Sequence, residues 1–358
     1  MFLFAASMAM LASCSENDDS VPPVAEPNAA LTFELSAVSE LQGATRAPVY
    51  SQAANQQVTR VSIHAFKNDG TGSYKFKKTY NVTGWTAGTT FKRYEVAAND
   101  TVAPGDYKFL AVGRDASDMF TIAAPVVNTT TFESVMATIA ASGNESEIFA
   151  GSTSATVTSE GGSRISIEMA RKVAGILGYF KNIPQMINGT TVQYLRLSVT
   201  NSSLGVNLSN GVGMNATGTA YNIINIDLSS QGVTGGLYNG NDLSGQGVVK
   251  VPMSQLGGSF FMPVSGVSMI LGLYDASGNA LKSWTVMDGS ATNMSIMANH
   301  FYSLGMKKAV GDTTGGGTPD PGDDDAPIDL LTDQSIVITI NPAWDLIHNL
   351  VIQPVAPN

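Results

Sequence analysis

His64, His300 and His348 are the only imidazoles in the 358 residues. None is spaced as in His-Glu-x-x-His, the pattern that aims two ring nitrogens of one helix face at a zinc ion. No metal site is expected. Gly235-Gly236, Gly257-Gly258 and Gly315-Gly316-Gly317 lack both the lysine of a phosphate-binding loop and the spacing of a dinucleotide fingerprint, so they read as turns and linker. No cofactor is expected. Glycoside hydrolysis needs two converging carboxylates, and separation along the chain says little about separation in space. Glu145, Glu147, Glu160 and Glu168 are the candidates, read first as solvated or strand-edge charges. Trp85, Trp284 and Trp344 could stack on sugar rings, but lone tryptophans at strand ends more often plug a core. No catalytic residue is assigned, and no enzyme is expected.

The remaining reactive group is Cys14, the only thiol. Residues 2–13 are uncharged and largely apolar, and Leu11-Ala12-Ser13-Cys14 resembles the bacterial lipoprotein motif. In that motif small residues admit a peptidase and the thiol is then acylated. The other reading is a buried strand ending in a structural thiol. No Lys or Arg precedes the apolar run, as a start codon placed a few residues late would explain. The run is shorter than the roughly 20 residues a spanning helix requires, so membrane attachment is expected through lipid alone. With Cys14 acylated no disulfide can form, and stability must come from packing. Ser15 to Ser20 is acidic, either a surface-export tether or a solvated linker.

The elements that must carry these groups follow from composition and alternation. Apolar residues make up 43% and charged residues 13%, about half the usual charged share, which excludes a highly charged disordered chain. The formal charge of -10, with no block of Lys or Arg, argues against nucleic acid as a partner. Thirty-six glycines and many Ser, Thr and Asn favour turn-rich β structure, and the length suggests two domains. Leu31, Phe33 and Leu35 alternate with polar residues as in a half-buried strand, and Gly43 to Pro48, around Arg46, reads as a protease-accessible loop. Val61, Ile63 and Ala65 form a strand leading to a turn at Lys67-Asn68-Asp69-Gly70, and Pro104-Gly105 opens a buried strand. Arg164 to Phe180 is read as strands, with a helix over 170–178 as the alternative, and a second domain begins near residue 163. Leu195, Leu197 and Val199 make a further strand. Leu271 to Tyr274 is expected to pair with Leu281 to Val286 across a turn at 275–279. Such short strands and Gly/Asn turns usually build antiparallel sandwiches. Residues 311–326 are an acidic Gly/Asp/Pro linker spanning about 20 to 24 Å on average. Beyond it Ile336, Ile338 and Ile340 form a strong strand, followed by Trp344, Leu350 and Ile352.

The lipobox at Cys14, the strand ahead of Thr45-Arg46-Ala47, the Ala170-Arg171-Lys172-Val173-Ala174 strand and the terminal linker with Ile336 to Trp344 together resemble the fimbrillin family of type V pilus subunits, including its anchor-type branch. Asn299 to Gly305 and Ser335 to Asp345 carry the closest likeness. The resemblance implies two transthyretin-like β-sandwich domains, export to the outer membrane as a lipoprotein acylated on Cys14, cleavage between Arg46 and Ala47, and polymerisation by strand exchange with neighbouring pilus subunits. On that scheme 1–13 is the signal peptide and 14–46 the propeptide with the removable strand. Residues 47–162 and 163–310 are the two sandwiches, 311–326 the linker and 327–358 the donor-strand segment, bearing Ile336, Ile338, Ile340, Trp344, Leu350 and Ile352. Loss of residues 15–46 removes six acids and one base, leaving 23 acids and 18 bases. The alternative is a non-polymerising anchor, or a surface lipoprotein that binds a glycan, host or bacterial ligand and keeps both terminal strands on their own domains.

Overall fold

The structure, a computed structural model, describes residues 31–37, 57–159, 162–214, 216–240, 253–288, 291–305 and 327–331, and gives 346–354 as a backbone strand. Cys14, Arg46, Ala47, Glu160, Ile336, Ile338, Ile340, Trp344 and the linker 311–326 lie outside the described residues.

The chain is all-β, as expected. In chain order the first strands are β1 (Leu31–Ala37), β2 (Val58–Asn68), β3 (Tyr74–Val82), β4 (Phe91–Glu95), β5 (Gly105–Asp115), β6 (Thr121–Ile122), β7 (Met136–Thr138), β8 (Ile148–Val157) and β9 (Ser163–Arg171). Seven of them form one sheet in the order β3, β2, β5, β8, β9, β1, β4. Both faces of its middle are covered. Phe109 and Ala111 of β5 enter one core with Phe33, Ile63 and Tyr80, while Leu110 and Val112 enter a second with Phe66 and Phe132. A strand buried on two sides reads as a continuous apolar run, which is why Phe109 to Val112 shows no alternation. At Gly151 of β8 the backbone of β9 comes so close that a Cβ would lie 1.8 Å from the Glu168 carbonyl oxygen, so glycine is required there.

The later strands are β10 (Ala174–Lys181), β11 (Met186–Ile187), β12 (Thr190–Thr191), β13 (Tyr194–Val199), β14 (Gly205–Asn207), β15 (Tyr221–Asp227), β16 (Val233–Thr234), β17 (Leu237–Tyr238), β18 (Ser254–Phe261), β19 (Val264–Val267), β20 (Met269–Tyr274), β21 (Ala280–Asp288), β22 (Met294–Ile296), β23 (His300–Leu304), β24 (Ile328–Asp329) and β25 (Leu346–Pro354). The second large sheet runs β15, β13, β20, β21, β25, β23, β10, β18, with β24 beside β10. The expected hairpin is present: β20 and β21 pair antiparallel. Its turn is held by the Asp275 carboxylate, which accepts from the Ser277 and Asn279 backbone N–H groups. Asn188-Gly189, both at positive φ, makes the tight β11–β12 turn.

Three features depart from the sequence reading. The sheets are mixed, because β1 runs parallel to β9, and β23 runs parallel to both β10 and β25. Ser163–Arg171, assigned to the second half, is hydrogen-bonded to β1 and β8 in the first sheet. The run 170–174 is not one strand: β9 ends at Arg171, a bend occupies Lys172 and Val173, and β10 opens at Ala174 in the second sheet. Alternation reports which side chains face a core, not which sheet holds the backbone.

The two halves share an interior. Phe66, Leu110 and Phe132 from the first pack in one buried cluster with Val173, Leu177, Phe260 and Phe301 from the second, and β7 pairs with β14 across the junction.

Candidate functional site

β1 is the element of most consequence. Its sequence, LTFELSA, places Leu31, Phe33, Leu35 and Ala37 on one face, all at most 2% exposed. Phe33 sits at the centre, its ring 5.1 Å from Phe109 edge-on and 5.7 Å from Tyr80. Burying Leu31, Phe33 and Leu35 contributes a gross gain on the order of 5 to 9 kcal/mol. The backbone is paired on both sides. Leu31 to Ala37 run parallel to Ser163 to Met169 of β9, and Thr32 to Ser36 run antiparallel to Glu95 to Phe91 of β4. Further bonds close the ends, from Ala37 N to Thr90 O at 3.0 Å and from Val96 N to Leu31 O at 2.9 Å. In the sheet order β4 has no neighbour other than β1. Removing β1 therefore uncovers an apolar trough and deprives both β9 and β4 of a ladder.

On the opposite face of β1 stands Glu34, whose side chain is 11% exposed. Its Oε1 accepts from Arg93 of β4 at 3.1 Å and from Arg164 of β9. The bonding from Arg164, reinforced by Arg93, holds the Glu34 carboxyl below its ordinary range. The sequence reading missed this trio. The only signal available was an acid at the central outward position of an otherwise neutral strand.

The C-terminal strand occupies a comparable slot. β25 lies between β21, to which it is antiparallel, and β23, to which it is parallel, with Leu350 opposite Asp288 and Ile352 opposite Val286. It joins the two parts of the second sheet.

The residues first considered for chemistry are scattered. His64 is buried in β2, its Nδ1 2.8 Å from Thr79 Oγ1, and burial pushes it down to about 4, so it is neutral at physiological pH. His300 opens β23, and His348 lies in β25 opposite Tyr302. Among the described residues no three His, Cys, Asp or Glu side chains group as metal ligands would. No helix among them is long and apolar enough to cross a membrane. Trp85 and Trp284 are both core residues, at 4% and 1% exposure. Glu168 is exposed on β9, as expected.

Two acids expected in solvent are not there. Glu147 is fully enclosed: Arg171 Nε donates to its Oε1 at 2.7 Å, the Gln57 backbone N–H donates to its Oε2, and its own N–H donates to Asp115 Oδ2 at 3.1 Å. Burial pushes the Glu147 carboxyl up while Arg171 draws it back. The pair ties the entrance of β2 to the last residue of β9. Glu145 is half-buried. Its Oε2 accepts from Gly143 N at 2.8 Å, and its Oε1 has no hydrogen-bond partner among the described residues. Across the junction Tyr221 of β15 lies near enough to feel its charge.

Burial pushes the Glu145 carboxyl from 4.5 up to about 7. Between those values the folded chain keeps a proton that the unfolded chain has released, so stability should fall as pH rises from about 4.5 to about 7 and then level off. The expected loss is on the order of 1 to 3 kcal/mol. Glu145→Gln should flatten that slope, as read from urea midpoints across pH; an unchanged slope would assign it to other groups.

Comparison with curated proteins finds no match. Among solved structures, a candidate adhesin from Bacteroides ovatus is 17% identical, with 72% of this chain and 77% of that one aligned at a TM-score of 0.44. A fimbrilin from Porphyromonas gingivalis is 11% identical over 92% of this chain and 98% of that one, with a TM-score of 0.41. A fimbrial assembly protein from Parabacteroides distasonis is 11% identical over 78% and 92%, with a TM-score of 0.37. The family model for fimbrillin-A associated anchor proteins Mfa1 and Mfa2 matches residues 25–349, and the chain, with its terminal strands slotted into two mixed β-sheets, belongs to that family of fimbrial surface proteins.

Proposed function

We propose that this chain is a non-enzymatic structural subunit of a cell-surface fimbrium, exported to the outer membrane as a lipoprotein on Cys14 and assembled by strand exchange, in support of adhesion. In this reading the chain forms two transthyretin-like sandwiches, and cleavage between Arg46 and Ala47 frees β1 from the first of them. A neighbouring subunit's strand then enters the slot. The C-terminal segment, with Ile336, Ile338, Ile340, Trp344, Leu350 and Ile352, acts as the donor. The observation that carries the reading is the β1 slot itself, which combines a closed apolar core, two backbone ladders and a strand only seven residues long. Donation of this kind is heterologous and does not close on itself, so it propagates as a fibre.

A second reading, the non-polymerising anchor or surface ligand-binding lipoprotein, is favoured by β25. That strand is seated in its own second sheet, where Leu350 and Ile352 already have ladder partners at home. Mass spectrometry of the mature N-terminus separates the two. Ala47 as first residue, with loss of fibres on joint Ile338→Asp and Ile340→Asp substitution, is expected for the subunit. An acylated Cys14 on surface material, or normal fibres from the double variant, would replace it with the anchor.

A further inference from the structure

We infer that the β1 slot selects its incoming strand by charge: it takes a strand with a carboxylate at the central outward position, supplied by a different subunit rather than by a second copy of this chain. The inference rests on the strand-exchange reading above. Glu34 is the fourth of the seven residues of β1. It therefore sits at the slot's centre whichever way an incoming strand runs. Arg93 and Arg164 reach it from the strands on either side and converge on the same oxygen. When β1 leaves, Glu34 leaves with it, and two like charges face a trough with no anion between them.

The chain's own C-terminal candidates do not restore that anion. With Ile336, Ile338 and Ile340 set on the apolar face, the central outward residue is Thr339, or Val337 if the strand slides by two. Setting Leu346, Leu350 and Ile352 on that face centres Asn349, or Val351 after the same slide. Asp333 and Asp345 reach the two arginines only in registers that set Thr332 and Gln334, or Pro342 and His348, on the apolar face and forfeit Ile338 and Ile340. A strand patterned like β1, apolar at alternate positions with Glu or Asp at its middle, would fill the trough and pair both cations. Because the Arg93 and Arg164 side chains are half or more exposed, at 51% and 64%, the preference should be moderate and weakened by salt.

The test uses the full chain with a specific protease site inserted between Ala37 and Gln57, cut so that β1 is held without a covalent link. Excess peptide is added and displacement of the cut segment is followed by native mass spectrometry. A peptide of the β1 sequence should displace it roughly three- to ten-fold better than the same peptide carrying Glu34→Gln. A peptide of residues 334–342 should compete poorly and improve by a similar factor with Thr339→Glu. In the Arg93→Gln, Arg164→Gln double variant the acid should confer no advantage. Equal displacement by acidic and neutral peptides would overturn the charge selection while leaving strand exchange intact, as would an acid preference that survives loss of both arginines. Failure of every peptide, the β1 sequence included, would overturn strand exchange and the selection with it.

Discussion

Phe33→Ala should lower the stability of the first half by about 3 to 5 kcal/mol, measured as the shift of a urea unfolding midpoint at constant slope. The ring is fully buried, 5.1 Å from Phe109 edge-on and 5.7 Å from Tyr80, so its loss leaves a cavity in the core. Thr32→Ala, on the opposite face, should stay within about 0.5 kcal/mol. The contrast matters for function as well as for folding. A strand that leaves its slot must give up the Phe33 site, so the alanine variant should also speed release of the cut β1 segment. A loss under about 1 kcal/mol would mean that β1 is not packed as described.

Arg171→Met should cost a comparable amount, about 3 to 5 kcal/mol, because it strands the Glu147 carboxylate where no water can reach it. The loss should be greater above the pH at which Glu147 ionises in the variant and smaller below it, since a protonated carboxyl needs no counter-charge. Joint substitution with Glu147→Leu should recover most of the loss, as replacing a whole buried pair by apolar groups is often near neutral. If the double variant proved no more stable than the single one, the pair's service to the Gln57 N–H and its hold on the β2 entrance would outweigh its electrostatics. Both Arg171 and Glu147 sit beside the point where the chain passes from the first sheet to the second, so the same measurement reports on how firmly the halves are joined.

Much of this was legible in the residues. The alternation of Leu31, Phe33 and Leu35 and the hairpin across Asp275 to Asn279 both appear in the structure as read, because each depends on side chains within a few positions of one another. The run 170–174 was misread for the complementary reason. A bend at Lys172-Val173 that hands the chain to another sheet leaves the local apolar pattern unbroken, so nothing within five residues records it. Glu147 was misread likewise. A lone glutamate looks solvated until Arg171 and Gln57 are brought to it from other strands.

By itself the sequence determined that this protein is built of short strands and which faces of those strands are apolar. The tertiary structure alone decided who neighbours whom. It set β1 parallel to β9 and beside β4, brought Arg164 to Glu34 across 130 positions, and placed β25 between β21 and β23. The reason is physical: a strand's period of two is written in adjacent residues, whereas its partners are set by where distant segments return to satisfy the same backbone groups and fill the same core.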